Sequence, residues 1–148
     1  MPTNVLRKVN PKPAAGTSAA AVSGAPRLVR LSAGRVSLKL ELLATATADL
    51  LWRAMPIFSN CETWGESIHF ECPIRAGRER TARLNVAPGD VCYWAEDCRV
   101  MLGWGPTPIS RPNEIRLMRP CNIWARAIDD PALLAAVTPG EKVSLGRL

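Results

Sequence analysis

Two short runs of β-branched, aromatic and aliphatic residues, Val91 to Trp94 and Val100 to Leu102, flank the polar pair Glu96-Asp97. Such runs on either side of a turn read as a β-hairpin. Gly105, Pro106 and Pro108 follow at once. Proline fixes φ and removes a ladder donor, so the second strand must end in an irregular Gly-Pro-Thr-Pro loop. A hairpin of this kind at the centre of the chain points to an antiparallel, barrel-like fold.

The flanking segments agree with it. Residues 27–43 read as a second hairpin, with Leu28, Val29 and Leu31 before the turn Ser32-Ala33-Gly34. Val36, Leu38, Leu40 and Leu42 then alternate with Ser37, Lys39 and Glu41, the period of a strand with one buried face. Residues 47–55 read as a helix with Thr47 as N-cap, Asp49 at the positive end of the macrodipole and Pro56 as terminator. A short loop with Asn60 is expected next, then a strand over 66–74, a charged turn and exposed strand over 75–83, and the Pro88-Gly89 turn into the central hairpin. After a polar loop at 110–113, residues 115–118 and 121–128 read as separate strands. Asp130-Pro131 opens a short helix, and 142–148 is the closing strand. The fold class is therefore mainly β: a closed barrel with one mid-chain helix and one short late helix.

At 148 residues the chain is one domain on length alone, able to bury about two-thirds of its unfolded surface. Residues 1–26 are rich in Ala, Pro, Ser and Gly without hydrophobic period and read as a disordered tail, leaving 27–148 as the folded domain. The net charge of +6 raises a nucleic-acid partner. Arg7, Lys8 and Lys12 lie in that tail, however, and the other arginines are spread singly rather than in a stripe, so such a partner is not expected. No apolar run approaches a membrane span, and no signal-peptide core is present. Five cysteines without a C-x-x-C pair read as reduced thiols of a cytoplasmic protein. Cys61, Cys72, Cys92, Cys98 and His69 match no zinc spacing, so neither metal nor cofactor is expected.

Several residues invite a chemical reading. Ser67, His69 and Glu71 share one face of the expected strand. Side chains two apart on a strand stand parallel and nearly 7 Å apart, so they do not relay hydrogen bonds as a triad must; a polar strand face is the simpler account. Glu66 follows Trp64-Gly65 and is the proton-transfer candidate. Trp94 and Trp104 fall on neighbouring strands and are expected to pack, with a ligand-stacking wall as the alternative, Thr107 supplying polar contact at its edge. Trp52 and Trp124 read as packing residues.

From residue 27 onward the chain resembles a family of small, stand-alone cyclophilin-like barrels of bacteria and archaea, a family without an established function. The resemblance rests on Thr63-Trp64-Gly65-Glu66 with Ile68 and Phe70; Gly89-Asp90-Val91 with Tyr93-Trp94; Gly105 with Thr107-Pro108 and Ser110; Asp129-Asp130-Pro131; and Gly140-Glu141-Lys142-Val143. Ala95-Glu96-Asp97 stands where the family usually has Pro-Pro-Gly, Gly103-Trp104-Gly105 where it has Phe-Phe-Gly, and His69 where Tyr is common. True cyclophilins isomerise X-Pro bonds with an arginine in a Phe-His-Arg strand motif. Ile68-His69-Phe70 falls there, and Phe70 donates no hydrogen bond. The glutamine before Gly-Gly-Asp falls near Ala87. The resemblance thus implies the fold without prolyl isomerase activity. Alternation puts Phe70 in the core, whereas the analogy puts it in an outer groove; the sequence leaves both open.

The reading that follows is a binding domain with a groove for a small molecule or short peptide. Trp64, Phe70, Tyr93 and Trp104 would form its walls, and Glu66 and Thr107 its polar contacts. The alternatives are an enzyme acting on an amide or carboxylated metabolite, by analogy with barrels in allophanate-hydrolase-type and oxoprolinase-type enzymes, and an interaction module using its sheet edge or tail. The oligomeric state stays open.

Overall fold

The computed structural model describes residues 25–148; the tail read over residues 1–26 falls almost wholly outside them. Nine strands form in chain order: β1 (Leu28–Ala33), β2 (Val36–Leu42), β3 (Ile57–Thr63), β4 (Ser67–Glu71), β5 (Arg83–Val86), β6 (Asp90–Trp94), β7 (Arg99–Gly103), β8 (Ile115–Ala127) and β9 (Lys142–Arg147). Helix α1 (Ala46–Ala54) follows β2, and a 3-10 helix (Pro131–Ala136) precedes β9. The order β2-β1-β9-β3-β4-β7-β6-β8 closes on itself through β2–β8 pairing. The result is a ring of eight antiparallel strands with β5 outside it on the edge of β8.

Alternation builds the interior as expected. Val29, Leu31, Leu38 and Leu40 point inward with Ile68, Phe70, Tyr93, Leu102 and Trp124, and α1 adds Ala48 and Leu51. The outer face of β6 and β7 carries a second, smaller core of Cys92, Trp94 and Met101. It is covered by Ile115, Leu117 and Cys121 of β8 and by Val86 of β5. Every residue of β6 is therefore buried. A strand buried on both faces loses the two-residue period, which is why the central hairpin reads as a continuous apolar run.

Four expectations are corrected. The N-cap of α1 is Thr45, whose Oγ1 accepts from Ala48 N at 3.0 Å. Thr47 is instead buried and donates to the Glu79 carboxylate at 2.6 Å, while Asn122 Nδ2 donates to its Oγ1 at 2.9 Å. The loop placed at Asn60 is β3, hydrogen-bonded between β4 and β9. The two strands around Pro120 are one, β8, irregular where Arg83 and Asn85 of β5 oppose Cys121 and Arg116. The first turn is Gly34-Arg35, with Ser32 and Ala33 inside β1.

Candidate functional site

The β3–β4 hairpin turns through Trp64-Gly65-Glu66. Gly65 has φ +61° and faces the loop after β7. A Cβ there would lie 2.7 Å from Pro106 O and 2.8 Å from Thr107 Cα, so only glycine fits. Glu66 N donates to Pro106 O at 3.0 Å, and Trp104 N to Glu66 O at 2.9 Å. The Trp-Gly-Glu and Gly-Pro-Thr-Pro motifs, some forty positions apart, are thereby stitched into one junction. The Glu66 side chain is exposed and occupies the space in front of Gly105.

Of the six residues expected at a groove, the junction gathers Trp64, Glu66 and Trp104. Trp64 is half-buried, edge-on to Trp94 with centroids 6.2 Å apart; Trp104 is half-buried against the interior core. Thr107 is buried, and its hydroxyl is engaged: Oγ1 donates to Arg116 O at 2.6 Å and is 3.0 Å from Ser110 Oγ. It knits the loop and is not available as a polar contact for a ligand. Phe70 and Tyr93 face the ring interior, which settles Phe70 in the core and removes both as groove walls. The Tyr93 hydroxyl donates to Ile74 O at 3.0 Å and accepts from Ala76 N at 3.2 Å. Burial pushes its pKa up to about 12.

The Ser67-His69-Glu71 face makes no relay. The Ser67 hydroxyl donates to Trp64 O, Arg99 Nε donates to His69 Nδ1 at 2.9 Å, and Glu71 is exposed. Cys61, Cys72, Cys92 and Cys121 are buried. Burial raises the Cys72 thiol to about 11. A hydrogen bond with Cys121, then burial, raises Cys92 well above its ordinary value, so these thiols pack as small apolar groups. Among the described residues, no three His, Cys, Asp or Glu side chains are grouped to hold a metal ion.

Next to the junction a cleft of about 890 Å³ opens between β5, the loops at Gly105-Pro106 and Asn113-Glu114, and the two ends of β8. Val86, Pro88, Pro106 and Ile115 give it apolar walls; Arg83, Asp90, Glu114 and Arg126 bring charge. Asp90 is 8 % exposed and fully engaged: Oδ2 accepts from Ala87 N at 3.0 Å and Oδ1 from Arg126 Nε at 3.2 Å. Glu114 accepts from Arg116 Nε at 2.7 Å and Arg111 N at 2.8 Å, and these bonds hold its carboxyl below the ordinary value. Arg83, Glu114 and Arg126 escape a reading by sequence because only the pairing of β5 and β6 with β8 places them around one cleft. The Gly89-Asp90-Val91 motif was the one available signal.

A model of the family described as cyclophilin-like matches residues 27–146. The chain belongs to the cyclophilin-like family. Among solved structures, this cyclophilin-like chain is similar to the solution structure of a hypothetical protein from Archaeoglobus fulgidus. The two are 28% identical, with a TM-score of 0.71, over 83% of this chain and 95% of that one. No curated protein matches it. Within the described residues of this cyclophilin-like domain, no helix is long and apolar enough to cross a membrane.

The outer face of the cyclophilin-like ring holds one group that ties stability to pH. Burial first, and the Arg99 guanidinium second, hold the His69 imidazole below its ordinary pKa of 6.5. The unfolded chain therefore binds this proton at higher pH than the folded one. The stabilisation by neutral His69 is complete above pH 6.5 and is lost as pH falls from there toward the lowered folded value. Urea midpoints on either side of that pH are expected to drop on the acid side. His69→Gln, which keeps an acceptor for Arg99 but does not titrate, should remove that part of the drop. An identical acid-side drop in the variant would assign it to other groups.

Proposed function

We propose that this cyclophilin-like chain is a binding domain whose cleft, bordered by the Gly105-Pro106 loop, takes a small molecule or a short peptide. The observation that carries this reading is the combination of volume and lining. About 890 Å³ with apolar walls and a few convergent polar groups is the usual make-up of a ligand site. The junction supports it by fixing one rim: Gly65 against Pro106 leaves the Gly105-Pro106 backbone little freedom. Trp64, Glu66 and Trp104 belong to that junction and do not line the cleft itself. Prolyl isomerase activity is not part of the proposal, because Phe70, at the position of the isomerase arginine, faces the interior and carries no donor.

Titrating a proline-containing peptide and a panel of small amides and carboxylates against the isotope-labelled protein tests this. Saturable shifts are expected at the amides of Val86, Gly105 and Ile115. Shifts confined to another surface, or none from any compound, would refute the assignment of the cleft.

A further inference from the structure

We infer that the occupant of this cleft is an anion, specifically a carboxylate carried on a short apolar body, with the Arg126 guanidinium as its anchor. The inference rests on the cleft being the binding site and deepens that reading by naming the class of ligand. It follows from counting which polar groups are already used. Both acids on the lining are already paired with a cation and a backbone donor: Asp90 with Arg126 Nε and Ala87 N, Glu114 with Arg116 and Arg111 N. The cations keep donors free. Arg83 has no hydrogen-bond or ion-pair partner among the described residues, and Arg126 bonds through Nε alone, leaving both terminal nitrogens open, with its side chain 64% exposed. The unspent donors of the cleft therefore belong to the two guanidiniums, and their complement is an acceptor-only, negative group.

Arg126 is the anchor because it is oriented. Asp90 is held by its own backbone turn and grips Nε, which pre-sets the plane of the guanidinium and lowers the entropy lost on binding. Arg83 on β5 pairs opposite Cys121, five positions before Arg126 along β8, a backbone separation of roughly 16 Å at strand spacing. It contributes field rather than a shared fork. Val86, Pro88, Pro106 and Ile115 between them fit an apolar body.

The test compares hydrocinnamate with its uncharged amide, and a Phe-ending tripeptide with free or amidated C-terminus, by amide shifts at Gly105, Val86 and Ile115. Each carboxylate is expected to bind at least tenfold tighter than its amide, with affinity falling as salt is added. Arg126→Gln should cut the preference for the carboxylate to about the twofold to fivefold that the Arg83 field supplies. Arg83→Gln, at a side chain without partners among the described residues, should weaken the carboxylate about twofold to fivefold without moving the urea midpoint. A response to hydrocinnamate but not the tripeptide marks a metabolite-type ligand, and the reverse a peptide terminus; both support the inference. Equal binding of acid and amide in the cleft would overturn the inference and leave the binding-domain reading standing. Absence of any shift there would overturn both.

Discussion

Trp124→Ala is expected to lower unfolding stability by about 3–5 kcal/mol, the largest loss from any single side chain discussed. Trp124 is fully buried on the inner face of β8, in the interior core, and Nε1 donates to Cys92 O on β6 at 3.3 Å. Removing the indole takes away a large apolar surface and leaves a cavity that the surrounding strands cannot fill, because a closed ring has no free edge to shift. The melting temperature should fall by something on the order of 10–20 °C for a domain of this size. Urea unfolding with far-ultraviolet dichroism measures it without relying on tryptophan emission. Trp52, half-buried beneath the guanidiniums of Arg27 and Arg147 at 5.8 and 5.3 Å from its ring centre, gives the contrast: Trp52→Ala should cost clearly less. A loss below about 1 kcal/mol for Trp124→Ala would contradict the core assignment.

The elements that could be read in advance are those whose partners enforce an ordinary pattern. β2 is wet on one face and buried on the other, so its leucines alternate. β3 is not: in Ile57–Thr63 only Ile57 and Cys61 are buried, and Phe58 is 77% exposed. It is a strand because β9 returns from the far end of the chain to pair with it and β4 takes its other edge, and no local pattern records that. The N-cap misassignment has a similar origin. Thr45 and Thr47 are equally good caps by type, and the choice is made by Glu79 and Asn122, which claim Thr47 for a buried network.

The site divides in the same way. The glycine-bearing motifs around the hairpin could be picked out because their residue types are rare and conformationally demanding. Threonine in a Pro-rich loop is usually wet, but Thr107 is buried within an otherwise exposed loop, and Arg116 O takes its hydroxyl. Arg83 and Arg126 carried no signal at all, since a single arginine on a strand looks the same whether it faces a cleft or bulk water.

Gly65→Ala tests the junction on which the cleft rim depends, and is expected to cost about 2–5 kcal/mol through two additive causes. A left-handed backbone at φ +61° costs a residue with a Cβ about 1–2 kcal/mol. The new methyl would also meet Pro106 O at 2.7 Å and Thr107 Cα at 2.8 Å. Those are backbone atoms, so the loop itself must move, a strain of about 1–3 kcal/mol. Gly105→Ala is the informative partner variant: the clash there is with the Glu66 side chain, whose carboxylate end is exposed and free to swing away, so it should cost well under half as much. The two also differ in where their effects appear. Gly65→Ala should shift the amide signals of Gly105 and Ser110, because moving Pro106 and Thr107 disturbs the hydrogen bond that Thr107 N donates to Ser110 Oγ. It should leave the β1–β2 hairpin unperturbed and weaken whatever the cleft binds. Equal costs for the two variants, with Gly105 and Ser110 unshifted in Gly65→Ala, would mean that the Trp-Gly-Glu turn does not hold the rim and that the cleft is shaped by β5 and β8 alone.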